Sequence, residues 1–259
     1  MRRISASVWR PVLSIALIAG FVLVEARTHS PLMPLRIFRN RSVSSANAVG
    51  LLVGAALFSM FFFISLYLQQ VLRFSALEAG VAYLPLAVGI ILSAGLGSVL
   101  VNRFGAKLLM VFGLVLVAVG LVLFAGARAK GSYTGDVLLP SIVVALGLGF
   151  AFVPLTILAV SGVRPDDAGL ASGLFNTAQQ IGGAIGLAIL STIATSRTND
   201  ILKAAHGANA ALPHALTSGF SRAFTVGAGF AVFGILIAVL FVGARARSAQ
   251  IPSVNPSGL

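Results

Sequence analysis

Long apolar runs separated by short polar segments dominate the chain. A helix needs about 20 residues to cross roughly 30 Å of hydrocarbon, and seven runs reach that length. They cover residues 7–26, 46–72, 81–101, 108–127, 138–162, 170–195 and 220–242. The alternation of apolar and polar residues that is typical of half-buried strands occurs nowhere in the sequence. The pattern therefore predicts an all-α membrane protein with about seven transmembrane helices.

The segments between the runs divide the chain into three predicted parts. Residues 1–45 would hold the first span and a basic cytoplasmic linker, residues 46–243 a lobe of six transmembrane helices, and residues 244–259 a disordered cytoplasmic tail. Two connections are long, because residues 27–45 form a basic segment and residues 196–219 a polar one. The other connections are short, as expected for one helical membrane domain.

The composition supports a chain immersed in lipid. Hydrophobic residues make up 58% of it and charged residues 9%, with a mean hydropathy of +1.02. A water-soluble chain of this length would lack the polar surface to stay dissolved. The net charge of +12 does not indicate a nucleic-acid partner, because the basic residues are dispersed between the spans without an aromatic groove. Without cysteines, and without a His, Asp or Glu pair in any span, neither a metal site nor a cofactor is expected.

The basic residues predict the orientation of the chain in the bilayer. Nine fall on one face: Arg27, Arg36, Arg39, Arg41, Arg103, Lys107, Arg164, Arg245 and Arg247. Six fall on the other: Arg73, Arg128, Lys130, Arg197, Lys203 and Arg222. The first face, with the C-terminus, is therefore expected to be cytoplasmic in a multi-pass protein of the cell membrane. Arg2, Arg3 and Arg10 cancel this excess, which would be resolved if the chain were a piece of a longer protein.

A short basic turn at residues 98–107 separates the third and fourth runs. Glycine allows two helices to reverse within a few residues, and each basic side chain gains about 1 kcal/mol among anionic headgroups. The spacing resembles the loop signature of the major facilitator superfamily, Gly-x-x-x-Asp-Arg-x-Gly-x-Arg/Lys, with Ser98 in place of the first Gly and Asn in place of the Asp. The resemblance implies a degenerate cytoplasmic gating loop made of Asn102, Arg103, Gly105 and Lys107. Any tight basic turn between spans would share part of this pattern.

Three other segments resemble the fourteen-span drug:proton antiporter branch of that superfamily. Residues 66–71 (Leu-Tyr-Leu-Gln-Gln-Val), followed by residues 75–80 and Pro85, are similar to the boundary after its ninth span. Residues 169–178, with the Gln and Gly residues that follow them, are similar to its thirteenth span. Residues 31–41 are similar to the basic linker between its eighth and ninth spans. The chain thus resembles spans eight to fourteen, the carboxy-terminal half.

This resemblance implies a function and a set of partners. The family exports amphipathic small molecules in exchange for protons, through a cavity between two six-helix lobes that rock about a site near the middle of the membrane. The expected partners are the lipid bilayer, an amino-terminal transporter half in the same or a separate chain, and an amphipathic substrate. The alternative is a non-transporting remnant or a regulatory membrane fragment, which the sequence does not distinguish from one half of a carrier.

Polar residues inside the spans are costly in hydrocarbon and indicate where a cavity or a neighbouring helix lies. In the sixth run, at 100° per residue, one arc holds Asn176, Gln180, Gly183, Leu187 and Ser191, and the opposite arc holds Leu174, Ala178, Ile181, Ile185 and Ile189. The first arc is expected to be a polar, closely packed inner stripe and the second to face lipid. Asn176 and Gln180 would either contact substrate or join neighbouring helices, while Gly182, Gly183 and Gly186 would allow close packing.

The second run adds candidate cavity residues, namely Ser59, Phe62 and Gln69. Aromatic faces and amides together suit flat, cationic, apolar compounds, through stacking and cation–π attraction. Such residues also commonly face lipid, and amides near a span end can be interfacial anchors. In the fifth run, Pro140 and Pro154 are expected either to act as hinges during rocking or to fix a static kink.

Proton coupling normally needs a carboxylate or a His inside the membrane whose pKa changes between the two sides. All six acids lie at predicted span ends or in connections: Glu25, Glu78, Asp136, Asp166, Asp167 and Asp200. In the resembled branch the coupling acids belong largely to the amino-terminal lobe, so the proton chemistry is expected there. An enzyme is a poorer interpretation, because Ser172 has no base on a neighbouring span to activate it.

Overall fold

The computed structural model describes residues 35–206 and 211–242, together with isolated helical positions between 13 and 27. Within this part of the chain, six helical segments are long and apolar enough to cross a membrane, which confirms the predicted all-α membrane fold. They are Arg41–Val71, Ala76–Phe104, Ala106–Ala125, Tyr133–Val160, Pro165–Ala204 and Leu212–Phe241. Most of the predicted first span, residues 7–26, and the whole predicted tail, residues 244–259, lie outside the described residues. Both stay predictions.

These segments contain seven α-helices. They are α1 (Arg41–Leu66), α2 (Ala76–Ala82), α3 (Leu84–Phe104), α4 (Ala106–Ala125), α5 (Leu139–Val160), α6 (Ala168–Ala204) and α7 (Leu212–Phe241). A π-helical turn, Tyr67–Val71, extends α1, and a second, Tyr133–Leu138, leads into α5. Short 3-10 turns at Leu35–Arg39 and Pro165–Asp167 precede α1 and α6.

Two predicted boundaries are wrong. Helix α1 begins at Arg41 rather than at residue 46. The connection predicted at residues 196–219 is largely helical, because α6 continues to Ala204 and α7 already begins at Leu212. The polar residues there do not mark the end of the helix. With 37 residues at about 1.5 Å each, α6 is far longer than the roughly 30 Å of apolar bilayer.

The described chain divides into two compact units at Asn40 and Arg41. The first unit, Met1–Asn40, contains the 3-10 turn Leu35–Arg39 and the isolated helical positions before it. The second unit, Arg41–Leu259, contains α1 to α7 and is called the lobe below.

The spanning helices of the lobe pair in a two-fold pattern. Helix α1 packs along α6, and α3 packs along α5. Helix α4 packs against α5, and α7 packs against α1 in the corresponding way. Helix α4 also packs against α7. Exchanging α1, α3 and α4 with α5, α6 and α7 reproduces these pairs, although α6 packs on α7 far more extensively than α3 packs on α4. Such a pattern is typical of the three-plus-three inverted repeats found inside transporter lobes.

Glycines set the distance between α1 and α6. A Cβ added at Gly54 of α1 would lie 2.9 Å from the carbonyl carbon of Gln179, and one added at Gly182 of α6 would lie 2.8 Å from the Cα of Leu51. Gly186 is as tightly placed, since its added Cβ would lie 2.5 Å from the Cα of Ala55. Backbones approach this closely only where side chains are absent, as in other membrane helix pairs with small residues at the interface.

Helix α5 uses two glycines to contact two neighbours. A Cβ added at Gly147 would lie 2.7 Å from the carbonyl oxygen of Gly113 on α4, and one at Gly149 would lie 2.6 Å from the carbonyl carbon of Ser93 on α3. The buried Ser93 hydroxyl also donates a hydrogen bond of 2.9 Å to the carbonyl of Ala145. The two glycines therefore let α5 lie between α3 and α4.

An aromatic cluster joins α1, α4 and α7 inside the lobe. The ring of Phe63 lies 5.7 Å from that of Phe220 and 6.1 Å from that of Phe224, and Phe224 stacks on Phe124 at 5.2 Å between centroids. Aromatic pairs at these distances each contribute about 0.5–1.5 kcal/mol beyond the area that they bury. The cluster fixes one wall of the groove described below.

Candidate functional site

Helix α6 has three distinct faces, where the sequence predicted two. Its buried face packs on the rest of the lobe and consists of Ala171, Phe175, Gly182, Gly183, Gly186, Leu190 and Ala194. Asn176 and Gln180 are exposed beside this face and not part of it. The glycines of the predicted inner stripe are thus closely packed, whereas its amides are exposed, and their place in a substrate cavity stays a prediction. The prediction, at 100° per residue, had placed two adjacent faces of the helix on one arc. In the structure Gly183 packs on Phe58, whereas the neighbouring amides are exposed.

The third face of α6 carries the isoleucines that the sequence assigned to lipid. Ile181, Ile185 and Ile189 are 48%, 51% and 43% exposed. Large apolar side chains of other helices are exposed in the same way, including Ile91 at 70% and Leu240 at 72%. A surface of this kind is unfavourable in water and matches the acyl chains of a bilayer. Next to these isoleucines, α6 exposes the amides of Asn176 and Gln180.

Helix α1 and the π-helical turn that follows it present exposed aromatic and amide side chains. Phe62 is 40% exposed, and Gln69 is exposed with its Nε2 donating a hydrogen bond of 2.9 Å to the hydroxyl of Ser65. Next to them, the ring of Phe61 lies 5.7 Å from that of Tyr83, whose hydroxyl donates to the carbonyl of Phe61 at 2.8 Å. These contacts hold the exposed side of α1 in a defined arrangement.

Ser59 does not belong to this exposed surface, which corrects its sequence assignment. The residue is 1% exposed, and its hydroxyl donates a hydrogen bond of 2.8 Å to the carbonyl of Ala55 in the same helix. A hydroxyl satisfied by its own helix can be buried at little cost. Ser59 is therefore a packing residue in the lobe.

A groove lies where α1, α6 and α7 meet. Its volume is about 280 Å³, and its wall includes Phe62, Leu66, Gln70, Ser191, Thr195 and Phe220. The wall is mainly apolar and aromatic, with one amide and three hydroxyls, which is the usual chemistry of small-molecule sites. Gln70, rather than the predicted Gln69, lies in this wall. Both amides lie in the π-helical turn Tyr67–Val71, which is wider than a regular α-helix.

We call the combined surface the polar–aromatic face. It consists of Phe62, Gln69 and Gln70 at the end of α1, with Asn176, Gln180 and Ser191 along α6. Beyond Ser191, a further groove of about 300 Å³ is lined by Thr192, Thr195, Ser196 and Asn199. The polar–aromatic face thus follows α6 along most of its length, next to the exposed apolar side chains Ile181, Ile185 and Ile189.

The basic turn between α3 and α4 has the backbone geometry that its glycine predicts. Gly105 adopts φ 84° and ψ 153°, a region that is essentially restricted to glycine. Its N–H donates to the carbonyl of Val101 at 2.9 Å, which closes α3, and α4 begins at the next residue. The reversal therefore takes a single residue, and no side chain fits its conformation without strain.

Replacing Gly105 with Ala is expected to lower the free energy of unfolding by about 1–3 kcal/mol, because Ala at this φ and ψ is strained. Thermal unfolding of the purified chain, followed by circular dichroism, measures the loss. Gly95→Ala is the matched control, since an added Cβ there meets nothing within 4 Å and the position is helical. Equal melting temperatures for the two variants would contradict a strained turn.

The other residues of the predicted gating loop make separate contacts. The Nζ of Lys107 donates a hydrogen bond of 2.8 Å to the carbonyl of Val239, near the end of α7. Arg103 lies over the ring of Phe104, 5.7 Å from its centroid, and Asn102 makes a long contact of 3.5 Å with the carbonyl of Ser98. Lys107 thus joins the loop to α7, where a cation favourably meets the carbonyl end of the helix. The sequence did not predict that contact.

The two prolines of α5 have different surroundings. Pro140 lies in the first turn of α5, directly after the π-helical turn, where a missing N–H costs little. Pro154 lies inside α5 and removes the hydrogen bond that its position would give to the carbonyl of Phe150. Only Pro154 therefore interrupts the helix, and its role as a hinge stays a prediction.

Two acids at span ends are held by structural hydrogen bonds. The carboxylate of Asp136, 9% exposed, accepts the N–H groups of Ser132 at 2.8 Å and Arg128 at 3.2 Å. Glu78 accepts the N–H of Ser75 at 2.7 Å, while the hydroxyl of Ser75 accepts the N–H of Glu78, forming a capping box for α2. Neither carboxylate lies on the polar–aromatic face. Among the described residues, no group of three or more His, Asp or Glu could hold a metal ion.

Six apolar spans, the packing of their helices and exposed apolar surfaces suited to lipid define a multi-pass α-helical membrane protein. Residues 6–187 match the family described as the Major Facilitator Superfamily. The chain belongs to this superfamily.

Curated relatives agree with that assignment. The chain is 38% identical over 229 residues to a cephamycin export protein of Amycolatopsis lactamdurans and 34% identical over 229 residues to a puromycin resistance protein of Streptomyces alboniger. Each alignment covers 87% of this chain. It is also 33% identical over 253 residues, 90% of its length, to an uncharacterised transporter of the superfamily from Mycobacterium tuberculosis. The alignments span only 44% of each of these three relatives.

Proposed function

We propose that this chain forms the carboxy-terminal lobe of a drug exporter, equivalent to spans eight to fourteen of the fourteen-span branch. An amino-terminal lobe, in the same or a separate chain, would complete it. The relatives named for cephamycin export and puromycin resistance support the proposal, and so does the 44% of their length that aligns. The lobe's internal repeat matches the arrangement in which two such lobes rock against each other.

The exposed polar–aromatic face is the observation that carries this proposal. Asn176 and Gln180 are exposed on a helix whose neighbouring face, at Ile185, is suited to lipid. An amide in contact with hydrocarbon is costly unless it meets water or a polar partner. A cavity between two lobes would provide that environment. The face would then be one wall of the substrate path.

The proposed substrates are amphipathic small molecules with a flat apolar body. The groove beside Phe62 and Phe220 has about 280 Å³, slightly below the roughly 300–1,000 Å³ of complete small-molecule sites. A wall of this size suits a site that a second lobe completes. Its aromatic rings would stack on the substrate, while Gln70 and Ser191 would orient polar groups.

We place the proton-carrying group in the amino-terminal lobe. A carrier carboxylate must be able to change its protonation as access alternates between the two sides. Asp136 and Glu78 are instead bound to backbone N–H groups at span ends. This lobe would thus supply part of the substrate cavity and the rocking body, with Pro154 as the candidate hinge of α5.

In the proposed orientation, the basic turn at Gly105 and the C-terminus are cytoplasmic. Because the chain has no cysteine, single cysteines report on sidedness without background. We expect Asp166→Cys, before α6, to be labelled from the cytoplasm, and Lys203→Cys, at the other end of α6, from outside. Both native side chains are exposed. Labelling of both cysteines from the same side of intact cells by a membrane-impermeant maleimide would contradict the orientation.

Drug susceptibility in a host without its own pumps tests the proposed function. We expect no resistance to ethidium from the chain alone, and resistance when it is joined to an amino-terminal six-helix lobe of a drug exporter of the superfamily. Immunoblots of the membrane fraction confirm that both forms are present. Sensitivity of the joined form at equal membrane levels would favour the remnant or regulatory fragment.

A further inference from the structure

A basic cavity lies near the beginning of α7. The basic turn between α3 and α4 contacts the other end of this helix, through Lys107. The volume of the cavity is about 460 Å³, and the ends of α4 and α6 and the beginning of α7 surround it. Three arginines and a histidine contribute to its wall: Arg128, Arg197, Arg222 and His214. The hydroxyl residues Ser221 and Thr225 of α7 line it as well. The sequence did not predict this site, because its arginines are far apart along the chain.

The three arginines lie at the same depth. Arg128 follows the C-terminal end of α4, and Arg197 lies just beyond the apolar part of α6. Arg222 lies near the start of the apolar part of α7. These helix ends are at one face of the lobe, since consecutive spans alternate in direction. An apolar run of about 20 residues fills the hydrocarbon, so residues at its end lie among the headgroups.

The positive charge of the cavity is only partly balanced. The Nε of Arg128 lies 3.8 Å from Asp136. For Arg197 and Arg222, the described residues include no carboxylate within ion-pair distance. Guanidinium groups bind phosphate through paired N–H donors, and basic pockets between membrane helices bind lipid headgroups. The chemistry of the wall therefore fits a phosphate group.

An apolar track leads away from the cavity along α7. From Arg222 and Thr225, helical spacing continues to Val232, Leu236 and Leu240 on the exposed side of the helix. Those three side chains are 47%, 50% and 72% exposed. A ligand with its anionic group in the cavity would thus place an acyl chain against this track, at the depth of the hydrocarbon.

We propose that the basic cavity is a binding site for the phosphate group of an anionic phospholipid. The lipid would occupy the leaflet at the outer ends of α4 and α6, with its headgroup between Arg197 and Arg222 and an acyl chain along α7. This site is independent of the polar–aromatic face. A free phosphate ion has the same charged group but would not use the apolar track.

Native mass spectrometry of the purified full chain tests the site. We expect one phosphatidylglycerol to stay bound to the unchanged chain at concentrations where phosphatidylcholine does not. The double variant Arg197→Gln with Arg222→Gln should bind phosphatidylglycerol at least tenfold more weakly. Arg73→Gln is the matched control, because Arg73 is exposed at the same face of the lobe and outside the cavity. Circular dichroism melting checks that all three proteins fold alike.

The same mass-spectrometry experiment, with inorganic phosphate added, tests whether the site takes a phospholipid or a free phosphate ion. If inorganic phosphate displaces the lipid only at phosphate concentrations far above the lipid concentration, the result supports the lipid site. Displacement of the lipid by an equal concentration of phosphate would overturn the assignment to a phospholipid. Equal retention of phosphatidylglycerol by the double variant and by Arg73→Gln would overturn the site itself, because general attraction to a basic surface would then explain the binding.

Discussion

Gly182→Ala is expected to disrupt the lobe. The added Cβ would lie 2.7 Å from the carbonyl carbon of Leu51 and 2.8 Å from its Cα, in a contact between two helix backbones that cannot yield locally. Overpacking of this kind typically costs about 1–3 kcal/mol and at times more, and we expect about 3 kcal/mol or more here. Thermal unfolding of the purified chain, together with its elution profile in detergent, measures the effect.

Gly173→Ala is the control for that experiment. Gly173 lies on the same helix, and an added Cβ there meets nothing within 4 Å. Its melting temperature should stay within error of that of the unchanged chain. If Gly182→Ala melted at the same temperature as Gly173→Ala, the close contact of α1 and α6 would not describe the folded lobe.

Gln180→Leu is expected to impair drug export in the completed carrier by about tenfold or more. A lost hydrogen bond and an apolar group facing a polar cavity together cost about 1.4 kcal/mol or more, which corresponds to a factor of ten. Ile185→Leu on the lipid-facing side of α6 conserves volume and should leave export unchanged.

Both variants are compared at equal membrane levels, as the minimal inhibitory concentration of ethidium. A normal amount of folded protein with a changed drug profile would favour contact of Gln180 with the substrate. Equal tolerance of Gln180→Leu and Ile185→Leu would contradict the assignment of the polar–aromatic face.

The apolar runs predicted every span of the described lobe, because burial in hydrocarbon demands both length and low charge. Helix ends were less predictable. Polar residues after Thr195 suggested a connection, yet the helix continues to Ala204, because a helical backbone satisfies its own hydrogen bonds whether or not its side chains are apolar. Likewise, Arg41 begins α1 ahead of the apolar run, because charged side chains are tolerated in a first turn outside the hydrocarbon.

Side-chain environments were harder to predict than spans. Ser59 and Ser191 are both small polar residues in apolar helices, but one is buried and the other lines the groove. Both hydroxyls donate to a carbonyl of their own helix, so only the packing of the surrounding helices distinguishes the two serines. Gln69 and Gln70 are neighbouring amides in the π-helical turn after α1, and only Gln70 lines the groove. Neither difference has a signal in the sequence.

The central claim is that this lobe forms half of a drug exporter and needs a second lobe for proton exchange. The most direct test reconstitutes the purified chain into vesicles with an imposed pH gradient, alone or together with an amino-terminal six-helix lobe of a drug exporter of the superfamily. We predict that ethidium dissipates the gradient only when both lobes are present. Robust ethidium-dependent proton exchange by the chain alone would contradict the account.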